Sequence, residues 1–371
     1  MAAKASQTIL HALALSRAPA IGPARYKKLI DHFLTAENVF SASTQTLSGI
    51  LGNFRNSKQF FGYLQQTPHA DDYAVDLQFH AGEQQHVVIY ESPAYPELLK
   101  QIFDPPPVLY IKGQSQILHE PQLAIVGSRN ASSRGLRRSQ DFANALASVG
   151  ITITSGLALG VDRAAHEGAL TADGPTIAVL GNGLDSVYPR QNQCLAAEII
   201  KNGGALISEL PLSAAPLAGN FPKRNRIISG LALGTLVVEA NVRSGSLITA
   251  RVAGEQGREV FAVPGDIDSP HSKGCHRLLR EGAQLTESVD DILSVIAPQL
   301  RRFITATTTP EPANLSTQQR QIMDSIGYAN STIDDITGHT GLTAAEVSSI
   351  LLSLELDGLV ATQPGGRYSR K

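Results

Sequence analysis

The chain has 371 residues and sets 31 Lys and Arg against 33 Asp and Glu, a formal net charge of −2. At about 100–200 residues per domain this length predicts two or three domains, and 42% hydrophobic with 17% charged residues excludes a largely disordered chain. Taken alone, the near-neutral balance argues against a nucleic-acid or anionic-membrane partner, which usually calls for a basic excess.

Two cysteines, Cys194 and Cys275, make no disulfide framework, and zinc-type Cys/His spacing is missing. The N-terminus lacks a basic stretch followed by an apolar run and a cleavage site, so no signal peptide is expected. No apolar run of about 20 residues predicts a membrane span. The expectation is a reducing, cytoplasmic setting.

Residues 1–85 read as short helices, with Leu10, Leu13 and Leu15, then Leu29, Ile30, Phe33 and Leu34, recurring at helical spacing. Between them Pro19-Ala20-Ile21-Gly22-Pro23 is a turn, with Pro23 placed to open a helix. This pattern fits a small structural bundle. It also fits a helix-hairpin-helix whose Gly turn offers backbone N–H groups to a phosphate, and Arg25, Lys27 and Lys28 keep that reading open.

Residues 86–300 alternate apolar β-branched runs with helical segments. The strands predicted are His86–Tyr90, Val108–Ile111, Gln122–Val126, Ile151–Thr154, Thr176–Leu180, Ala205–Ser208, Thr235–Glu239 and Glu259–Val263. Alternation of this kind predicts an α/β fold with a mostly parallel sheet covered on both faces. Residues 301–315, rich in Thr and Pro, read as a linker. Beyond it, Ser316–Gly327, Ser331–Gly338 and Thr343–Asp357 read as helices, with Ser316, Ser331 and Thr343 as N-caps. A strand, a Pro-Gly-Gly turn and a second strand complete a winged helix over 316–371.

Ligands of open parallel sheets bind at the carboxyl ends of strands. Here Gly- and Ser-rich loops follow four of them: Gly127-Ser128-Arg129-Asn130, Ser155-Gly156-Leu157, Gly181-Asn182-Gly183, and Asn241-Val242-Arg243-Ser244-Gly245-Ser246. Such loops before helices let N–H groups converge on an anion. The dinucleotide fingerprint fails, since Ser186 stands where the third Gly is needed, and no Gly-Lys pair exists for a P-loop. The G-x-S-x-G elbow and H-E-x-x-H motifs are absent as well. No cofactor and no metal are therefore expected. Asp162, Asp185, Glu209 and Glu239 follow strands and read either as catalytic carboxylates or as loop-ordering groups.

The sharpest local feature is Phe221-Pro222-Lys223-Arg224-Asn225-Arg226. Cations in the first turns of a helix oppose its dipole by roughly 0.3–1 kcal/mol each, so the cluster makes sense if a polyanion neutralises it. Arg129 and Arg190 are placed to reach the same sheet edge, and Arg suits bidentate phosphate contact.

These stretches resemble the DNA processing protein A (DprA/Smf) family of bacteria. The resemblance is carried by Ala124–Arg129, Ser155–His166, Tyr188–Asn192, Phe221–Gly230, Glu239-Ala240 with Ser244–Ala250, Val263-Pro264-Gly265 and Asp104–Tyr110. It implies an extended Rossmann-like domain over 86–300, flanked by an N-terminal SAM/helix-hairpin-helix-like domain over 1–85 and the winged helix. It further implies a non-enzymatic protein that binds and protects incoming single-stranded DNA in natural transformation and promotes loading of the RecA recombinase. The family acts as a homodimer through the Rossmann-like domain, which points to a surface around Gly274–Leu285. The implied phosphate contacts are Arg129, Arg190, Lys223, Arg224 and Arg226. Gly127, Ser128, Ser155, Gly156, Asn192, Asn225, Ser244, Gly245 and Ser246 are implied to line the pocket, with Tyr188 and Phe221 for base stacking.

Other readings of the sheet are a nucleotide-hydrolysing, phosphoribohydrolase-like enzyme and a nucleotide-sensing regulator. The enzyme reading is weakened because the only Pro-Gly-Gly, at Pro364–Gly366, lies in the wing. The helix Thr343–Asp357 has no Lys or Arg and three acids. It is therefore not expected to read duplex DNA, which needs cations against phosphate repulsion. Protein contact is the expected role of the winged helix, with Arg367, Arg370 and Lys371 of the wing as alternative DNA contacts. Residues 86–300 hold 18 Lys and Arg against 20 Asp and Glu, so binding must rest on a few cations gathered at one edge.

Overall fold

The computed structural model describes residues 2–306, 316–325, 331–356, 360–363 and 367–370. They fall into two compact units, Met1–Phe303 and Ile304–Lys371.

The first unit opens with α1 (Ala2–Ser16), α2 (Pro23–Phe33), α3 (Ala36–Phe40), α4 (Thr44–Leu51), α5 (Ser57–Leu64) and α6 (Ala74–His80). Pro23 takes the first position of α2, where its missing N–H has no helical partner to lose. Thr35 and Ser43 cap α3 and α4 by accepting from Asn38 N and Thr46 N. Helices this short are held by burying an apolar stripe. Leu13, Tyr26, Leu29, Leu47 and Phe60 bury theirs in the same core as Val87, Ile89, Leu109 and Ile111 of the sheet. Arg17 adds a polar tie, donating to Asp76 at 2.7 Å and to Tyr110 Oη at 3.0 Å. The change of pattern at residue 85 is thus a change of element type within one packed unit. Two of the three cations at the Gly22 turn are engaged internally, and Lys28 is exposed. Arg25 donates to Ala20 O at 2.8 Å and lies over the Phe54 ring, and Lys27 pairs with Asp31 at 2.6 Å. This favours the structural bundle.

The sheet follows. β1 (Gln85–Ile89), α7 (Glu97–Lys100) and β2 (Val108–Gly113) lead into β3 (Gln122–Val126), α8 (Ser133–Ser148), β4 (Thr152–Ser155), α9 (Val161–Thr171) and β5 (Thr176–Val179). After them come α10 (Gln193–Lys201), β6 (Ala205–Ser208), α11 (Asn220–Leu231), β7 (Gly234–Val237), α12 (Ser246–Glu255), β8 (Glu259–Ala262), α13 (Lys273–Arg280), β9 (Gln284–Leu285) and α14 (Val289–Ala306). The strand order is β1-β2-β6-β5-β4-β3-β7-β8-β9. From β6 to β9 every neighbour is parallel, while β1 and β2 are antiparallel additions at one edge. Burial on both faces shows in the alternation along β3: Ala124 and Val126 join one core, Leu123 and Ile125 the other. The chain runs outward from β3 through β4, β5 and β6, then returns to β7 on the other side of β3. The β3/β7 junction is therefore the topological switch point, where such sheets open a crevice.

Most strand bounds differ from the sequence reading by one or two residues, and two elements differ by more. β9 is a two-residue edge strand with both residues exposed, so it has no apolar run to announce it. Helix α14 continues through Ala306, so 301–306 of the expected linker are helical; 307–315 lie outside the described residues.

The second unit contains α15 (Thr317–Ser325), β10 (Ser331–Thr332), α16 (Ile333–Thr340), α17 (Ala344–Leu356), β11 (Val360–Gln363) and β12 (Arg367–Arg370), with sheet order β10-β12-β11. Its core is Ile322, Met323, Ile336, Val347, Leu351, Leu354 and Val360. This is a winged helix. Ser316 and Thr343 cap as expected, accepting from Gln319 N and Glu346 N. Ser331 does not cap: it pairs with Tyr368 in the sheet, and Thr332 forms a capping box with Asp335. The Pro364–Gly366 turn and Lys371 lie outside the described residues. Among the described residues no helix is long and apolar enough to cross a membrane, and no group of three His, Cys, Asp or Glu is placed to hold a metal.

Candidate nucleic-acid interface

At the β3/β7 switch point three segments close around a cavity of about 660 Å³. The loop after β3 brings Gly127, Ser128, Arg129 and Asn130. The loop after β7 brings Asn241, Arg243, Ser244 and Gly245, leading into Ser246 of α12. Helix α11 supplies Phe221, Arg224, Asn225 and Ile228. The loops are joined through backbone: Ser128 N donates to Glu239 O at 2.7 Å, and Val161 N donates to Ser128 O at 3.1 Å. Close approach is why glycine stands at 160. Its φ is +79°, and a Cβ there would lie 2.2 Å from Ser128 O. Helix α12 begins at the cavity wall, where its N-cap Gly245 has no side chain to cap it and Ser246 N donates to Ser244 Oγ at 3.3 Å. Its dipole leaves partial positive charge there, as an anion site requires.

Arg224 forms part of the cavity floor and is 5% exposed. Its Nη1 donates to Gly156 O at 2.8 Å and to Val179 O, and Nε donates to Asn225 Oδ1 at 3.3 Å. Burial pushes its pKa down to about 10, opposed by the attraction of Asp162, so it stays charged at neutral pH. Asp162, the one carboxylate among the cavity-lining residues, is itself buried and accepts from Gly156 N at 3.1 Å. Burial raises its pKa, while Arg224 and Arg129 draw it back down. A Cβ on Gly156 would meet the Arg224 guanidinium at 2.7–2.8 Å, so this glycine makes room for the arginine.

The rim carries cations and rings. Arg129 lies 5.7 Å from the Phe221 ring centroid, and the Phe221 and Tyr188 rings sit 5.5 Å apart at 44°. Tyr188 is 45% exposed. Lys223 and Arg243 are exposed. Among the described residues Arg129, Lys223 and Arg243 belong to no ion pair.

The sequence-derived site residues therefore separate into groups. Gly127, Ser128, Arg129, Arg224, Asn225, Ser244, Gly245 and Ser246 meet at the cavity. Lys223 stands exposed beside it on the same helical turn. Ser155, Gly156 and Asn192 lie underneath: Ser155 Oγ donates to Ile125 O at 2.6 Å, and Asn192 Nδ2 donates to Leu157 O at 2.8 Å. They are buried, so they shape the loops and do not line the cavity. Arg190 is exposed and borders a different basin, with Lys112 and Asp185. Arg226 turns away altogether. It forms a bidentate pair with Glu209 at 2.9 and 2.6 Å and reaches Asp104 at 3.0 Å, so its charge is already satisfied.

Three of the four carboxylates after the strands are engaged too, while Asp185 is exposed beside Arg190. Glu239 accepts from Ser132 N at 2.9 Å and Ser132 Oγ at 2.5 Å, holding the start of α8. Glu209 serves Arg226 and Asp162 orders the Gly156 loop, so these three read as loop-ordering groups. The cavity also recruits Asn130, Asn241, Arg243 and His271, which the sequence does not single out as site residues. Arg243 has a signal, its place in the loop after β7. His271 has no local signal, because it is brought in by the bond from Ala240 N to His271 O at 2.8 Å.

The family model for DNA recombination-mediator protein A matches residues 86–297, and that for the DprA winged helix domain matches 306–366. Protein Smf of Escherichia coli is 45% identical over 76% of each chain. Protein Smf of Synechocystis is 35% identical over 97% of this chain and 98% of its own. The crystal structure of DNA processing protein A from Streptococcus pneumoniae, 38% identical, superposes with a TM-score of 0.65 over 76% of this chain and 95% of that one. A DNA processing protein A from Helicobacter pylori, described for its single-stranded DNA binding mode, is 32% identical with a TM-score of 0.51, covering 55% of this chain and 93% of that one.

Proposed function

The chain belongs to the DNA recombination-mediator protein A (DprA/Smf) family, and we propose that it binds and protects incoming single-stranded DNA in natural transformation. The carrying observation is the cavity at the β3/β7 junction. There, Arg129 and Arg243 line a glycine-rich anion cradle beside the Tyr188–Phe221 ring pair, Lys223 stands exposed next to it, and none of the three belongs to an ion pair among the described residues. Phosphates would be held by the cations and the loop N–H groups, with Arg224 fixing the floor. Bases would stack on the rings, a sequence-tolerant contact.

The protein works without catalysis in this reading, since the carboxylates near the cavity are committed to loop order. It acts in the cytoplasm as a homodimer through the Rossmann-like domain around Gly274–Leu285, and promotes RecA loading on the strand it holds. Support for that surface comes from β9, an edge strand whose Leu285 is 53% exposed. In this scheme 86–300 is the DNA-binding region and 316–371 a separate winged-helix module.

The test is competition between single-stranded and duplex oligonucleotides of one length for the full chain. Preference for the single strand, without base preference, is expected. Equal or stronger duplex binding would count against the assignment.

A further inference from the structure

We propose that a bound strand continues past the cavity, across Tyr188, into a second basin where Arg190 and Lys112 take further phosphates. This rests on the reading of the β3/β7 cavity as a single-strand site. The basin has a volume of about 500 Å³. Its floor is apolar, built by Leu184, Val187, Ala196 and Leu206, and its rim carries Arg190 from the turn before α10 and Lys112 from β2.

Three observations carry the inference. First, Arg190 and Lys112 are exposed and belong to no ion pair among the described residues. Elsewhere in this unit Arg226, Arg17 and Lys27 are paired with carboxylates. Second, the basin adjoins the first cavity. Phe221 lines that cavity, Tyr188 packs on Phe221, and Arg190 follows Tyr188 by two residues, a reach of at most about 7 Å between Cα atoms. Third, the order of chemistry along this line is cation, ring pair, cation: Arg129 on Phe221, then Tyr188, then Arg190. A groove that tracks a single strand alternates phosphate contacts with stacking platforms in this way. An apolar floor beneath basic groups suits bases and sugars below a charged backbone. Asp185, the one carboxylate among the lining residues, opposes the two cations and limits the affinity.

The experiment compares the full wild-type chain with Lys112→Gln/Arg190→Gln, using labelled oligothymidines of about 6 and about 24 nucleotides, chosen around the site sizes of single-strand grooves. Both residues are exposed, so thermal melts of the variant should match wild type. The short oligomer, filling the first cavity, should bind both proteins alike. For the long oligomer, the slope of log K against log salt should be shallower in the variant by about 1.4, the loss of two phosphate contacts on a single strand. Asp185→Asn should tighten the long oligomer and leave the short one unchanged. Equal slopes for the long oligomer would overturn the continuation while leaving the first cavity in place. Failure of the wild-type chain to bind either oligomer would overturn both readings.

Discussion

Arg224 and Arg226 lie two residues apart on α11 and serve opposite sides of it. Two helical steps rotate a side chain by about 200°. Arg224 therefore faces the cavity floor and the Gly156 and Val179 carbonyls, while Arg226 faces Glu209 and Asp104. One helix thus lines the cavity with one side and is anchored through its back.

This predicts that Arg226 acts on stability before it acts on binding. Arg226→Ala leaves Glu209 without its partner in a largely buried setting, and breaking such a pair costs about 3–5 kcal/mol. Tm should fall by on the order of 10 °C. Lys223→Ala, at an exposed position of the same helix, should leave Tm within about 1 °C, as surface changes do. Thermal melts of the two variants check both outcomes, and similar melting would contradict the division of roles.

The ring pair should supply sequence-tolerant affinity. Tyr188→Ala and Phe221→Ala are each expected to weaken oligonucleotide binding by about 1–3 kcal/mol, with equal loss for thymidine and adenosine oligomers. Titration of both oligomers checks it.

Stability should fall as pH drops below neutrality because of His166. This side chain is fully buried, with Nδ1 2.7 Å from Thr176 Oγ1 and, among the described residues, no hydrogen-bond partner on Nε2. Burial lowers its pKa from 6.5 to about 3. The unfolded chain therefore takes up the proton first. The stability this group contributes is whole above about pH 6.5 and is lost as pH falls toward 3, by up to about 1.4 kcal/mol per pH unit. Melts between pH 7 and 5 should show a smaller decline in His166→Asn than in wild type.

The winged helix should not be a duplex reader. In α17, Glu346 is spent on the cap, accepting from Thr343 N at 2.9 Å and Thr343 Oγ1 at 2.6 Å, and the helix has no Lys or Arg. Ending the chain at residue 303 should leave single-strand affinity for the first cavity within about twofold of the full chain, since the cavity belongs wholly to the first unit. Anisotropy titrations of both forms measure this.

The sheet is legible in the sequence because its strands are continuous apolar runs: Gln122–Val126 and Ala205–Ser208 have the same bounds in sequence and structure. The glycine-rich loops are legible for the same reason, since each follows such a run. The fate of individual cations is not. The partners of Arg226 lie 17 and 122 residues away in sequence. Three cations in the first turns of a helix call for a polyanion only if the protein leaves them unanswered. It answers two of them itself, Arg226 through carboxylates and Arg224 through carbonyls and Asp162. Ser155 and Asn192 share motifs with cavity residues, but strand pleat and loop packing turn them inward. A motif records which residues travel together and leaves open which of them face the ligand.

Arg129, Lys223 and Arg243 are the groups assigned to supply the phosphate-contacting charge. The most direct test of that assignment is the salt dependence of oligothymidine binding by the wild-type chain and by the Arg129→Gln/Lys223→Gln/Arg243→Gln variant. With Tm preserved, the slope of log K against log salt should become shallower by about 2, three contacts at roughly 0.7 each. An unchanged slope in the folded variant would place the phosphate contacts elsewhere and contradict the assignment.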